Sequence, residues 1–318
     1  MQGAELEVRG GPSRVRRYGG IALAGLLPWA WFLLRDRFGV VTDVLAIGLP
    51  MLTLATALIV GILGRRRKAA VVFAVSTLLV GIVATVVPWI PDGAGTVDQA
   101  RAVRIAATNI GSGELDGADN LLALHADVLV VSEIGSPLTA RLSESYPVHV
   151  AEWNGPAIGV FSRWPMTVLE RPGPTLPGFV LRIQAPSGEF DLIAAHVPRP
   201  WVTSRGASYQ TTAVGHHRLI EQIAMRAERD DHPVVVTGDL NTTDRGRDYR
   251  VLSKHLDDAM LDSWGRPSEI GNWSALLVRI DHMLVKPGWC SDDSGWYKVP
   301  ASDHRGIIST VGPCSSGQ

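Results

Sequence analysis

The sequence predicts an α/β protein in which an N-terminal membrane region of three helices is followed by a strand-rich domain. The net charge is +4 over residues 1–98 and −5 over residues 99–318, whereas the whole chain of 318 residues carries only −1. Charged residues make up 19% of the chain, below the share of about a quarter that is usual in soluble domains. This composition excludes a disordered chain, a coiled coil and a collagen.

Three long uncharged runs near the N-terminus account for the low charge. They are Tyr18–Leu34, Val44–Gly64 and Ala69–Ile90, of 17, 21 and 22 residues. A helix needs about 20 apolar residues to cross a bilayer, so we predict membrane helices over about 18–34, 44–64 and 69–90. Two alternatives are a set of buried core helices and, for the first run, a cleaved signal peptide, although no small-x-small cleavage site follows Leu34.

The distribution of arginine and lysine predicts the orientation of these spans. Basic residues precede the first span at positions 14–17 and fill positions 65–68 between the second and third. The positive-inside rule places both segments in the cytoplasm, and three spans then place the chain after Ile90 outside. Trp31 and Trp89 fall at the predicted outer interface, where tryptophan is favoured.

Only two cysteines are present, Cys290 and Cys314, and both lie in the outer part of the chain. This number excludes a disulfide-dense scaffold and a multi-cysteine zinc module. A disulfide is stable outside the cytoplasm, but the sequence leaves open whether these two residues pair.

Beyond Ala100 the chain alternates short apolar runs with Gly, Pro and Asp turns. Many strands with few helices favour a large mixed sheet or a sandwich of two sheets. A short helix is predicted over 120–125 and a long one over 206–229. The predicted strands are 103–109, 127–133, 157–162, 180–184, 190–196, 233–239, 279–285 and 306–311.

Polar residues of catalytic type follow or precede most of these strands. The eight residues are Asn109, Glu133, His196, Asp239, Asn241, Asp281, Asp303 and His304. Each alone is explained equally well as a turn or capping residue, but the set as a whole points to one rim of a sheet. Carboxylate and amide oxygens suit Mg²⁺, Mn²⁺ or Ca²⁺, and histidine can bind phosphate or transfer a proton. Neither a G-x-S-x-G elbow nor a P-loop is present, so hydrolysis by a metal-activated water is the natural reaction class.

The ordered motifs resemble the endonuclease/exonuclease/phosphatase superfamily, the metal-dependent phosphoesterases related to DNase I. The resemblance runs from ATNIG at Asn109 to SDH at His304, and TGDLN followed by SDH is its most specific part. The other motifs that carry it are VLVVSE, GVFSRWP, AAH and RIDHML. This resemblance implies a four-layer α-β-β-α sandwich over 99–318, with residues 1–98 as the transmembrane anchor and linker.

The resemblance also implies roles for the eight residues. Glu133 is the main ligand of Mg²⁺ or Mn²⁺, assisted by Asn109 and Asp303. Asp239 and Asn241 position and activate the attacking water. Asp281 fixes the tautomer of His304, and the histidines His196 and His304 hold the phosphate and stabilise the charge that develops on it. Whether one or two metals bind is left open.

The three spans with an outer catalytic domain are similar to bacterial membrane members of the family such as the VanJ-type teicoplanin-resistance proteins. This likeness implies a multi-pass protein of the bacterial cell membrane with an extracytoplasmic catalytic domain and a link to glycopeptide resistance. The expected substrate is a phosphorylated lipid or a lipid-linked pyrophosphate. A soluble phosphoester, extracellular nucleic acid and a non-catalytic binding role remain as alternatives, and the net charge of −5 disfavours nucleic acid. The oligomeric state is not predicted.

Two further histidine positions receive structural interpretations. His216 and His217 lie on the predicted long helix, where we expect a solvated face rather than a metal site. His282 follows Asp281 in a strand, so its side chain is expected on the opposite face of the sheet.

Overall fold

A computed structural model describes residues 14–92, 95–111, 117–186, 188–201 and 209–315. The chain divides into two compact units. The first comprises Met1–Gly39 and Leu49–Ala84, and the second comprises Val40–Gly48 and Thr85–Gln318.

The N-terminal part of the chain is helical. Its helices are α1 (Arg14–Leu34), α2 (Val40–Leu63) and α3 (Lys68–Val86). In the described residues, two segments are long and apolar enough to cross a membrane by length and composition, Val41–Leu63 and Lys68–Trp89, with mean hydropathies of 2.2 and 2.6. The first predicted span forms α1 but is not one of these two. Its uncharged part is short and is followed at once by Arg35.

The second unit contains four further helices and fourteen strands in the described part of the chain. The helices are α4 (Ala118–Leu122), α5 (Ser136–Ser143), α6 (Ala213–Arg229) and α7 (Arg247–Leu252). The strands are β1 (Val103–Asn109), β2 (Val128–Ser132), β3 (Val148–Glu152), β4 (Ile158–Ser162), β5 (Met166–Glu170), β6 (Gly178–Ala185), β7 (Gly188–Ala195), β8 (Arg199–Trp201), β9 (Gln210–Thr212), β10 (Val234–Asp239), β11 (Asp257–Asp258), β12 (Asp281–Val285), β13 (Trp289–Lys298) and β14 (Arg305–Pro313).

Two six-stranded sheets form a sandwich. The first has the order β13-β14-β1-β2-β4-β3 and the second β11-β12-β10-β7-β6-β5. Alternate residues of both sheets, such as Ile105, Val130, Leu181, Leu192 and Val235, share one fully buried apolar cluster. Because side chains alternate along a strand, the intervening residues face outward and need a second cover.

Helices provide that cover on both sides. Leu121 of α4 and Leu138 of α5 pack with Leu129 on the outer face of the first sheet. Ile220 of α6 and Leu252 of α7 are in the cluster that covers the second sheet. The predicted two-sheet sandwich is therefore confirmed, and its layers run helix, sheet, sheet, helix.

All eight predicted strands are present, with ends that differ by up to two residues. Prediction missed the strands β3, β5, β8, β9, β11 and β13 and the helices α5 and α7, which lack the strongly apolar pattern of the central strands. The short helix lies at Ala118–Leu122 rather than over 120–125. The predicted helix over 206–229 is wrong at Gln210–Thr212, which form strand β9. Helix α6 begins at Ala213, where the Thr212 hydroxyl caps it by accepting from the Gly215 N–H. Residues 206–208 of that prediction lie outside the described residues.

A disulfide joins Cys290 of β13 to Cys314, which follows β14. The sequence left open whether these two cysteines pair, and the structure shows that they do. It links two neighbouring strands at the edge of the first sheet, next to the C-terminal end of the described chain.

A buried cation stabilises the second sheet. Arg279 is fully buried, and its guanidinium donates to Asp244 at 2.9 Å and to Asp258 at 2.6 Å. Burial alone would lower the pKa of Arg279, but the two carboxylates raise it above its usual range. The residue is therefore charged, and its removal leaves two buried carboxylates without their cation.

We expect Arg279→Met to destabilise the fold by about 3–5 kcal/mol, because breaking a buried ion pair leaves uncompensated charge. The free energy of unfolding is measured on the full chain by urea titration in detergent with tryptophan fluorescence. Arg141→Gln is the control, since the ion pairs of Arg141 in the described part of the chain are exposed. An unchanged unfolding midpoint for Arg279→Met would contradict this reading of the network.

Candidate metal and phosphate site

The side-chain amide of Asn109 connects the two sheets at one rim of the sandwich. Its Nδ2 donates to Glu133 Oε1 at 3.1 Å and to Asp239 Oδ2 at 2.9 Å. Asn109 and Glu133 end neighbouring strands of the first sheet, whereas Asp239 ends β10 of the second. One amide thus holds two carboxylates close together.

Strand direction explains why the other predicted residues meet at the same rim. Strands β1 and β2 are parallel, and so are β7 and β10, so His196 and Asp239 end on one edge of the second sheet. Strand β12 is antiparallel to β10 and pairs Asp281 with Asp239. His304 directly precedes β14, which is antiparallel to β1. The structure therefore brings the predicted residues together.

The turn after β10 depends on Gly238. Its φ is +132°, and a Cβ at this position would lie 2.1 Å from the carbonyl oxygen of Ala195. Asp239 Oδ1 then accepts from the Asn241 N–H, and Asn241 itself has a φ of +47°. Asn241 Nδ2 donates to Val197 O at 2.9 Å, so its Oδ1 is free of that bond and can accept from a ligand.

His196 approaches Asp239 from β7. Its Nδ1 forms a hydrogen bond with the carbonyl oxygen of Pro156. A carbonyl can only accept a hydrogen bond, so Nδ1 carries the proton. The other nitrogen, Nε2, lies 3.8 Å from Asp239 Oδ2. The side chain is buried and its ring packs on that of Tyr209.

His304 approaches the same carboxylate from the position directly before β14. Its Nδ1 lies 2.8 Å from Asp281 Oδ2, and its Nε2 lies 4.0 Å from Asp239 Oδ2. Burial alone would lower the pKa of His304, but the carboxylates of Asp281 and Asp239 raise it to about 10. His304 is therefore an imidazolium at neutral pH, with Nε2–H available as a donor.

The donor set fits a hard divalent cation. Glu133 and Asp239 supply carboxylate oxygens within reach of one amide, and Asp281 Oδ1 is buried without a hydrogen-bond partner in the described chain. Asp239, Asp281 and His304 form a compact potential ligand group. The predicted metal ligands are different residues, namely Asn109, Glu133 and Asp303. The three members of the compact group were assigned to catalysis in the sequence analysis, so the two ligand sets differ.

Asp303 is exposed at the edge of the site. Its Oδ1 lies 3.9 Å from the position of a Cβ built on Gly111, which follows Asn109 by two residues. It therefore faces the Asn109 end of the rim without joining the buried group.

The sequence model of the endonuclease/exonuclease/phosphatase family matches residues 107–304, which is more than half of the chain. The chain belongs to this family. The match begins two residues before Asn109 and ends at His304, so it contains all eight residues of the rim.

Several solved structures are similar to this one. TDP2 of D. rerio, solved with a single-strand DNA product, is 17% identical with a TM-score of 0.52, and the match covers 66% of this chain and 99% of that one. A functionally unknown protein from Enterococcus faecalis is 11% identical with a TM-score of 0.50, covering 66% and 99%. Sphingomyelinase C from Streptomyces griseocarneus is 13% identical with a TM-score of 0.46, again covering 66% and 99%. No curated protein matches by sequence.

The family fold positions these residues through side chains that sequence reasoning missed. Ser302 Oγ donates to Asn109 O at 2.6 Å and accepts from the His304 N–H. Ser268 Oγ accepts from the N–H groups of Ile280 and Asp281. The SDH motif contains Ser302, but no local pattern identifies Ser268, because it is distant in sequence from its partners.

The prediction of a solvated face for His216 and His217 is wrong. His216 is buried, and its Nδ1 lies 2.6 Å from Asp248 Oδ2 while its Nε2 lies 3.1 Å from Leu240 O. His217 Nδ1 forms a hydrogen bond with Asp248 Oδ1. Helix α7 covers this face of α6, which the periodicity of α6 alone does not show. These contacts fix the loop that follows Asp239.

His282 lies on the other face of β12, as predicted. Its Nε2 bonds Thr242 O at 2.8 Å and its ring packs on Tyr249. It is therefore part of the support of the same loop rather than of the rim.

We expect Asp281→Asn to remove a pH-dependent part of the stability. The pKa of His304 is raised in the folded protein, so its protonation stabilises the fold fully below its unfolded pKa of about 6.5. This contribution is lost as the pH rises to about 10. Removing the Asp281 charge lowers the pKa of His304 and reduces the difference between acid and alkaline conditions.

The measurement is the midpoint of thermal unfolding between pH 6 and pH 10 in the presence of EDTA, so that no divalent cation contributes. His304→Gln should show the same reduced pH dependence as Asp281→Asn. If both variants parallel the native protein across this range, the proposed proton does not reside on His304.

Proposed function

We propose that the chain is a metal-dependent phosphoesterase, anchored in the bacterial cell membrane, that hydrolyses a phosphorylated lipid or a lipid-linked pyrophosphate on the extracytoplasmic face. The VanJ-type resemblance adds a role in glycopeptide resistance to this proposal. Membership of the family supports the reaction class.

The observation that carries the proposal is the arrangement around Asp239. Its Oδ2 accepts from Asn109, and the Nε2 atoms of His196 and His304 lie 3.8 and 4.0 Å from it. Both distances exceed hydrogen-bond length, so neither Nε2 is bonded to Asp239, and a ligand oxygen beside the carboxylate can contact Asp239 and a histidine at the same time. An oxygen of a phosphate or a water is of the required size and chemistry.

Each residue then has a chemical task. A divalent cation held by Glu133 with Asn109 and Asp303 would offset the negative charge of the phosphate. His304 donates from Nε2–H to a phosphate oxygen and stabilises the charge that develops during in-line attack. Asp239 accepts a proton from the attacking water, and Asn241 Oδ1 orients that water.

Two features support a lipid substrate. A cavity of about 270 Å³ adjoins His304 and Asn241, and much of its wall is apolar, including Trp201, Trp273 and Leu276. The two apolar helical segments are long enough to hold the chain at a bilayer. An apolar wall beside a phosphate site suits an ester whose alcohol is a hydrocarbon chain.

We expect the purified full chain to release phosphate from polyprenyl pyrophosphate with Mg²⁺ or Mn²⁺, and EDTA to abolish the release. Glu133→Gln should lower kcat by at least about a hundredfold, because it removes the charge that holds the cation and leaves the shape unchanged. Glu144→Gln is the matched control, since Glu144 lies on the surface and, among the described residues, pairs only with Arg141.

A phospholipid and plasmid DNA are offered in parallel. Metal-dependent nicking of DNA without lipid turnover would make the protein an anchored nuclease. Turnover that Glu133→Gln leaves intact would contradict the assigned site. Binding of the lipid without turnover under any metal condition would favour the non-catalytic alternative.

The orientation is tested by single cysteines and a membrane-impermeant maleimide on intact cells. The positive-inside rule predicts that Gln99→Cys is labelled and that Arg66→Cys is labelled only after lysis. The native cysteines form a disulfide and do not react. The reverse labelling pattern would place the catalytic domain in the cytoplasm.

A further inference from the structure

Outside the rim, a buried arginine connects separate segments of the chain. This residue is Arg245, which lies four residues after Asn241. Arg245 is only 2% exposed. In the described part of the chain its guanidinium donates to four backbone carbonyls, and its side chain forms no ion pair. The nearest carboxylate in sequence, Asp244, pairs with Arg279 instead.

Two of these carbonyls belong to segment Val40–Gly48, the first turns of α2, which is part of the second unit. Arg245 Nε donates to Ala46 O at 2.7 Å and Nη2 donates to Ile47 O at 2.9 Å. Ala46 lies four residues before Pro50, which has no N–H to donate. The proline therefore frees the Ala46 carbonyl, and Arg245 supplies the missing donor.

The other two carbonyls belong to the turn that ends the short 3-10 helix Ser274–Leu276. Arg245 Nη2 donates to Leu276 O at 2.7 Å and Nη1 donates to Leu277 O at 2.8 Å. Leu277 has a φ of +52°, so this turn presents its carbonyls in an uncommon conformation. One planar cation thus joins two separate pieces of chain.

Both pieces line the cavity next to the phosphate site. Ile47 and Leu276 are wall residues of the same cavity that Asn241, Asp303 and His304 line at its polar end. A second tie, between Arg247 and Asp43 at 2.6 Å, holds the same segment of α2. The apolar wall is therefore incomplete without the residues at the start of α2.

We propose that Arg245 is a positioning residue for substrate selection, because it holds Ile47 and Leu276 together as a wall that binds the hydrocarbon part of the substrate next to its phosphate. This inference rests on the proposed function and deepens it: the substrate class is a phosphoester or pyrophosphate whose alcohol carries a long apolar chain. The short hydrocarbon of a small ester does not need this wall.

The chemistry of the side chain makes the proposal specific to arginine. Burial lowers the pKa of Arg245 to about 10, although Asp244 opposes the effect, so the side chain is cationic at neutral pH. A lysine is cationic too, but its single ammonium lacks the planar set of N–H donors with which a guanidinium binds four carbonyls. Glutamine keeps polarity and loses the charge and most donors.

The test uses the full chain in detergent with two substrates that have the same reacting group, isopentenyl pyrophosphate and the longer farnesyl pyrophosphate. Arg245→Gln and Ile47→Ser should each lower kcat/KM for the farnesyl substrate by about ten- to a hundredfold, mainly through KM. For the isopentenyl substrate both variants should stay within about twofold of the native protein. Arg245→Lys should recover part of the loss, and Arg141→Gln should change neither substrate.

The double variant Arg245→Gln/Ile47→Ser should lose little more than either single variant, because both act on one wall. Equal losses for the two substrates would overturn the proposal and indicate a general structural role for Arg245. Unchanged kinetics for the farnesyl substrate would overturn it as well.

A binding measurement separates this inference from the proposed function. Farnesyl pyrophosphate is titrated in EDTA and followed by quenching of tryptophan fluorescence, since Trp201 and Trp273 line the cavity. If the native protein hydrolyses neither substrate but binds the farnesyl compound, and Arg245→Gln weakens this binding at least about tenfold, the inference stands while the proposed function fails. If binding does not depend on Arg245 or Ile47, the inference fails whatever the activity.

Discussion

The site depends on one side-chain amide between two sheets. Asn109 extends from the first sheet and donates to a carboxylate of each sheet, Glu133 and Asp239. Two sheets packed only by apolar contacts can slide, because the hydrophobic effect has no direction. The short bond from Ser302 to the Asn109 carbonyl fixes the end of the strand that carries the amide. The hydrogen bonds that join the two sheets at the rim thus also set the spacing of the carboxylates.

Negative charge is concentrated at this rim, and the fold compensates it in two ways. Asp239 and Asp281 are buried side by side across β10 and β12, an arrangement that is unfavourable unless a cation is near. The proton on His304 supplies one positive charge between them. The remaining carboxylates are Glu133, which accepts from Asn109, and Asp303, which lines the cavity, and a divalent cation held by them would complete the compensation. The same concentration of negative charge favours the binding of a cation.

The sequence predicted the rim because its residues share a local signature, an apolar strand that ends in a polar side chain, as at Asn109 and Asp239. Long-range supports carry no such signature. Ser268 binds backbone groups of β12 from a loop, and His216 is buried only because α7 packs on its helix. The extra strands at the sheet edges were missed since their side chains are half-exposed. The sequence shows that Pro50 leaves the Ala46 carbonyl without its helical donor. It does not show that Arg245, 199 residues away from Ala46, supplies the replacement.

The two most buried arginines of the second unit have opposite electrostatic consequences. Arg279 is surrounded by Asp244 and Asp258, so its charge is neutralised and its role is structural. Arg245 is surrounded by carbonyls, whose partial charges stabilise a cation without cancelling it. Its charge therefore serves to hold the two backbone segments that carry Ile47 and Leu276. Under the proposed function, the rim residues bind the phosphate and the wall held by Arg245 binds the hydrocarbon chain, so loss of Arg245 affects a long-chain substrate and spares a short one. A buried cation without a carboxylate partner in the described chain can thus shape an apolar surface by binding backbone carbonyls alone.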